Sequence, residues 1–144
     1  MAHTGSDLLQ PAADLMDAFN RGHWNRFRAI VADDVVYNEI GTGRRTESAD
    51  AYIQALAGWK LAFPDANGMI LATLAGDDTI TQRFRFHGTH TGPLHMPAVS
   101  IEATGRHVTV DASAWYRYEG DAIIEIHHYL DVLTLLRQIG ALPG

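Results

Sequence analysis

Apolar positions along this chain repeat with two periods, and the change from one to the other divides it. Leu8, Ala12, Leu15 and Phe19 fall on one helical stripe, with Ser6 as a cap before it and Gly22 as its stop. Trp24, Phe27, Ile30 and Val31 predict a second, short helix, and Asp33-Asp34 a turn. Val35 to Ile40 reads as a strand that Gly41-Thr42-Gly43 breaks. Ser48 is a good N-cap for a third helix carrying Tyr52, Ile53, Leu56, Trp59 and Phe63, closed by Pro64-Asp65.

Beyond Pro64 the period becomes two. Met69 to Ala75 predicts a strand, and Gly76-Asp77-Asp78 a hairpin turn. Thr79 to His90 alternates, with Ile80, Gln82, Phe84, Phe86 and His90 on one face. A loop with Gly92, Pro93 and Pro97 precedes a short strand at Val99 to Ala103. His107 to Tyr118 places Val108, Val110, Ala112, Ala114 and Tyr116 inward. The last stretch, EIHHYLDVLTLLRQIG (125–140), changes period within itself. Ile124, Ile126, His128 and Leu130 share a strand face, then Val132, Leu135, Leu136 and Ile139 share a helical one, with Gly140 and Pro143 as stops. Helices followed by strands joined by short turns predict an α+β domain. The sheet should be mostly antiparallel and curved around the N-terminal helices.

Composition narrows the function. The 144 residues, 47% hydrophobic, suit a single domain spanning 1–144, and residues 1–5 are expected to fray. With no cysteine there is no thiol nucleophile and no thiolate metal site. No apolar run approaches the roughly 20 residues of a membrane span, and the first residues do not read as a secretory signal. A net charge of −6 without a basic cluster argues against nucleic acid and anionic membranes. The expectation is a cytoplasmic protein whose partner is a small molecule.

The chemistry must then come from the 8 histidines and a few carboxylates. His128 is the sharpest candidate: an imidazole on an apolar strand face suits proton transfer near neutral pH, and burial would favour its neutral form. The plainer reading is a core histidine bonded to backbone. Asp131, at the strand-to-helix switch, is a catalytic acid, a group that orients His128, or a helix cap. His90 either lines a pocket mouth or ties down a loop. One of Tyr37 and Asn38 should face inward, and Asn38 could donate to an enolate oxygen. Trp59 and Trp115 could touch a flat guest or serve in the core or a subunit interface. Ala112 and Ala114 leave room beside His128, unless a helix packs tightly there. Converging metal ligands are not expected, because His87 and His90, like His127 and His128, diverge on a strand.

Three segments carry a family resemblance: GTHTGPLHMPAVSIEATGRHV (88–108), AFPDA (62–66) and LDVLTLLRQIG (130–140). In that order they resemble the SnoaL-like polyketide cyclases. The resemblance implies a cone-shaped α+β barrel like that of nuclear transport factor two, with a deep apolar pocket, assembly as a homodimer or homotetramer, and cyclisation without metal or organic cofactor. It implies intramolecular aldol closure of an aromatic, anthracycline-type polyketide. The family's catalytic aspartate on the last strand falls at His128 in this chain. Phe19, Asn38 and Leu56 match pocket-wall positions, while Ala112 and Ala114 stand where larger polar residues would. Polyketide hydroxylation remains an alternative. So does an epoxide hydrolase or dehydratase, for which Asp131 with Asn38 or Gln82 is the available set. A ligand carrier or dimerisation module without catalysis is a further one.

Overall fold

The computed structural model describes residues 8–142. The Ser6 cap, the fraying of residues 1–5 and the Pro143 stop lie outside them. The elements run α1 (Leu9–Arg21), α2 (Trp24–Ile30), β1 (Val31–Ile40), β2 (Arg44–Thr46), α3 (Ala49–Ala62), β3 (Asn67–Ala75), β4 (Thr79–Thr89), β5 (Leu94–His95), β6 (Ser100–Ile101), β7 (His107–Glu119), β8 (Ala122–Leu130) and α4 (Val132–Gln138). This is the expected α+β class, with a curved sheet that does not close.

Six strands pair in the order β2-β1-β8-β7-β4-β3. All these pairs are antiparallel except β1 with β8, which run parallel. β5 and β6 form a separate two-stranded ribbon, so the strand expected at Val99–Ala103 shrinks to two residues. Asp33-Asp34 is not a turn between elements. Both residues are exposed inside β1, at an irregularity where β1 carries three extra residues relative to β8. β8 has a one-residue bulge at Ile124. The bulge reverses the alternation on its N-terminal side, so Ile123 rather than Ile124 is fully buried. From Glu125 onward the expected parity holds.

α1 and α3 cover the concave face. α1 ends in left-handed Gly22 and is clamped to β3 by Asn20, whose Nδ2 donates to the Gly68 carbonyl at 2.9 Å and whose Oδ1 accepts from the Gly68 amide at 2.7 Å. Gly68 has no room for a side chain, since a Cβ there would run into Met16 and Phe86. Ser48 caps α3 as expected, accepting from the Ala51 amide at 3.1 Å. Among the described residues no helix is long and apolar enough to cross a membrane.

Candidate active site

Between the helices and the sheet lies a hollow of about 100 Å³. Phe19 of α1, Leu56 and Trp59 of α3, and Phe84 and Phe86 of β4 form much of its wall. Phe86 packs edge-on against both Phe19, at 5.5 Å, and Phe84, at 5.2 Å. His87 and Gly88 also line the hollow, near the C-terminal end of β4.

Strand register brings the polar groups of this wall into one row. Gln82 of β4 pairs with Ala114 of β7, Ala114 with His128 of β8, and His128 with Glu39 of β1. All four are buried on the concave face. Adjacent strands lie about 4.8 Å apart, so Ala114 leaves a gap between two long polar side chains. Gln82 Nε2 and His128 Nε2 are both buried without a hydrogen-bond partner, and both residues line the hollow. Buried polar atoms are rarely left unpaired, and these two belong to side chains that line the same hollow.

The other side of His128 is fully engaged. Its Nδ1 lies 2.8 Å from the Tyr37 hydroxyl, and that hydroxyl donates to Glu39 Oε2 at 2.6 Å. Glu39 is 1% exposed. It accepts three further hydrogen bonds: from Thr42 Oγ1 at 2.6 Å, Arg44 at 3.0 Å and Trp59 Nε1 at 3.0 Å. Burial is the largest single influence on the Glu39 carboxyl and raises its pKa. The hydrogen bonds from Thr42, Trp59 and Tyr37 and the Arg44 charge together outweigh it and hold the group below its ordinary value. Burial lowers the His128 pKa, and the Glu39 charge only partly opposes it. At neutral pH the site therefore holds an ionised carboxylate and a neutral imidazole.

His128, Gln82, Ala114, Phe19, Leu56 and Trp59 thus meet at the hollow. Trp59 serves twice, as wall and as a donor to Glu39. Four other expectations need correction. Asn38 faces away, because on β1 the inward parity belongs to Val35, Tyr37 and Glu39; its Oδ1 accepts from Arg45 at 2.7 Å. His90 is fully buried outside the hollow. Its Nδ1 accepts from the Thr104 amide at 3.2 Å, and its ring stacks on Phe63 at 5.2 Å, so it ties down the 104–106 segment. Asp131 is exposed and caps α4, accepting from the Thr134 amide at 3.1 Å and the Thr134 hydroxyl at 2.7 Å. It cannot join Gln82 or Asn38 as a water-activating set. Ala112 faces inward but sits between Phe84 and Leu130 and does not reach the hollow.

Glu39, Thr42 and Arg44 were missed. For Glu39 the signal was present, since it shares strand parity with Val35 and Tyr37, the same anomaly that singles out His128. Among the described residues no three metal-ligating side chains converge.

The family model for SnoaL-like polyketide cyclase matches residues 10–139. No curated protein matches the chain. Several solved structures superpose on it. IdmH from Streptomyces antibioticus, a candidate polyketide cyclase, is 25% identical, with a TM-score of 0.77 over 96% of this chain and 99% of its own. A candidate SnoaL-like polyketide cyclase from Jannaschia sp. CCS1 is 17% identical, with a TM-score of 0.86 over 99% and 98%. AclR from Streptomyces galilaeus, a candidate hydroxylase, is 21% identical, with a TM-score of 0.81 over 98% and 85%. The last two likenesses carry the fold alone.

Proposed function

The chain belongs to the SnoaL-like polyketide cyclase family, and on that premise we propose that it closes a carbon ring in a flat aromatic polyketide by acid–base intramolecular aldol addition. The observation that supports this most is the unpartnered Nε2 of a neutral, buried histidine beside an apolar hollow. Such a nitrogen is a base of suitable strength for a carbon acid flanked by two carbonyls.

In the proposed cycle His128 Nε2 takes a proton from that carbon, leaving an enolate. The Gln82 amide, across the Ala114 gap, donates to the enolate oxygen. The enolate carbon then attacks a second carbonyl of the same molecule, forming the carbon–carbon bond. The alkoxide so formed recovers the proton from the His128 imidazolium. Every atom and electron is accounted for by this transfer, with no oxidant or reductant consumed. Phe19, Phe84 and Phe86 would hold the flat substrate folded, so that the reacting carbons start close together. A hollow of about 100 Å³ is on the scale of one ring, since a cavity of roughly 150 Å³ in another core takes up benzene. The reacting end of the polyketide would enter the hollow.

The test is His128→Ala, assayed for turnover of an anthracycline-type precursor and for binding of its cyclised product. Turnover should be lost and binding kept. Undiminished turnover would remove His128 as the base, and an absolute requirement for dioxygen would replace ring closure with hydroxylation.

A further inference from the structure

The Tyr37 hydroxyl has one hydrogen and two neighbours that could receive it: Glu39 Oε2 at 2.6 Å and His128 Nδ1 at 2.8 Å. Which one receives it decides the tautomer of the histidine. An ionised carboxylate can only accept, so the hydrogen goes to Glu39. The tyrosine oxygen is then left to accept, and His128 must present Nδ1–H to it. The ring's lone pair is thereby on Nε2. We infer that Glu39 is a positioning residue that sets the tautomer of His128 through the Tyr37 hydroxyl and so keeps Nε2 as the proton-accepting nitrogen.

The surroundings of Glu39 are built to keep it ionised. Thr42 and Arg44 reach Oε1, while Trp59 and Tyr37 reach Oε2, so each oxygen receives two donors. Arg44 cannot give up its charge. The chain also acts during turnover. Once Nε2 is protonated, the imidazolium donates through Nδ1 to a hydroxyl that itself donates to an anion, an arrangement that favours the charged ring. Glu39 touches no substrate, since Tyr37 and the His128 ring stand between it and the hollow.

This inference rests on the reading of His128 as the base, but its test does not. In Glu39→Gln the side-chain oxygen stays toward Arg44, where an amide NH₂ would oppose a guanidinium. The NH₂ then faces Tyr37 and donates to its oxygen, at the cost of the Trp59 hydrogen bond. The hydroxyl hydrogen turns to His128 Nδ1, and the ring changes to the Nε2–H form. Two-bond ¹⁵N–¹H correlation spectra of ¹⁵N-histidine-labelled protein at pH 8 distinguish the tautomers without any substrate. Wild type should show Nδ1–H and Glu39→Gln should show Nε2–H. The variant should lose about 10³–10⁴-fold in kcat/KM, the scale of a wrong-tautomer histidine in a catalytic triad, with KM little changed. A wild-type ring in the Nε2–H form overturns the inference even if the variant does not fold, and so does a folded Glu39→Gln protein that keeps Nδ1–H. If the tautomers behave as stated while His128→Ala keeps its turnover, the proposed reaction fails and the tautomer assignment stands.

Discussion

Replacing Tyr37 by phenylalanine removes one oxygen from the centre of this network and nothing else. The ring remains, packed on Tyr52 with centroids 4.7 Å apart. Two contacts disappear, one to Glu39 at 2.6 Å and one to His128 at 2.8 Å. A hydrogen bond to a buried ionised group contributes about 1.5–3 kcal/mol, and a buried nitrogen left without its partner costs about 1–3 kcal/mol. The lower part of both ranges applies. Glu39 keeps three donors, and the hollow beside His128 can admit water to the freed ring. The expected loss is about 3 kcal/mol, or a fall in melting temperature of roughly 10 °C for a chain of this size.

Urea unfolding at pH 7.5, followed by tryptophan fluorescence, measures it, with an unchanged m-value as the sign that the fold is kept. A double-mutant cycle with His128→Phe should return a coupling of about 1–2 kcal/mol between the two residues. A Tyr37→Phe loss below about 1 kcal/mol, or a coupling near zero, would falsify the view that this hydroxyl bridges carboxylate and imidazole.

Ala114→Leu should fill the gap between Gln82 and His128, lowering kcat/KM at least 100-fold while stability moves by no more than about 2 kcal/mol; full activity would mean that the guest lies elsewhere. Asp131→Ala should cost about 1 kcal/mol by losing the α4 cap and leave kcat/KM within twofold, so a large kinetic defect would restore Asp131 to the chemistry. Because folded His128 titrates below its ordinary 6.5, the stability it retains above pH 6.5 should decline as the pH falls toward the lowered folded value. His128→Gln should abolish that portion but keep the later loss below pH 4.5 as Glu39 protonates. The convex sheet face exposes Ile40, Leu74, Trp115 and Tyr129; if the homo-oligomer expected of the family forms there, Trp115→Asp should give monomers in sedimentation, and unchanged assembly would move the interface elsewhere.

What could be read from sequence depended on how local the determining interactions are. Helices α1 and α3 were legible because an apolar stripe with a Gly stop or a Ser cap is written within one segment. The inward placement of His128 was legible because the bulge at Ile124 lies upstream of Glu125 and leaves the alternation of the remaining strand intact. A bulge five residues later, at Tyr129, would have turned the imidazole to solvent with no warning in the apolar pattern. Asp33-Asp34 misled for a related reason: two exposed aspartates look like a turn, yet the strand carries them through as an irregularity beside β8. His90 misled because strand parity was extended one residue past the end of β4, where the chain leaves the sheet to bond with Thr104.

The carboxylate behind His128 shows the limit of local reading most sharply. A search along the last strand for an acid to accompany the histidine arrives at Asp131, three positions away. Strand geometry and helix capping, however, take that side chain out of the concave face. The partner that the fold supplies comes from β1, through a tyrosine 91 residues from the histidine. It is there because β1 and β8 run parallel in a register that sets Glu39 beside His128. Parallel pairing cannot be inferred from a hairpin turn, since 81 residues separate the end of β1 from the start of β8. Glu39 could have been noticed as a charge on an apolar parity, but only the register turns two separate anomalies, far apart in the sequence, into a single hydrogen-bonded chain. In a fold of this class, the first place to look for the group that orients a base on the last strand is the strand beside it in space.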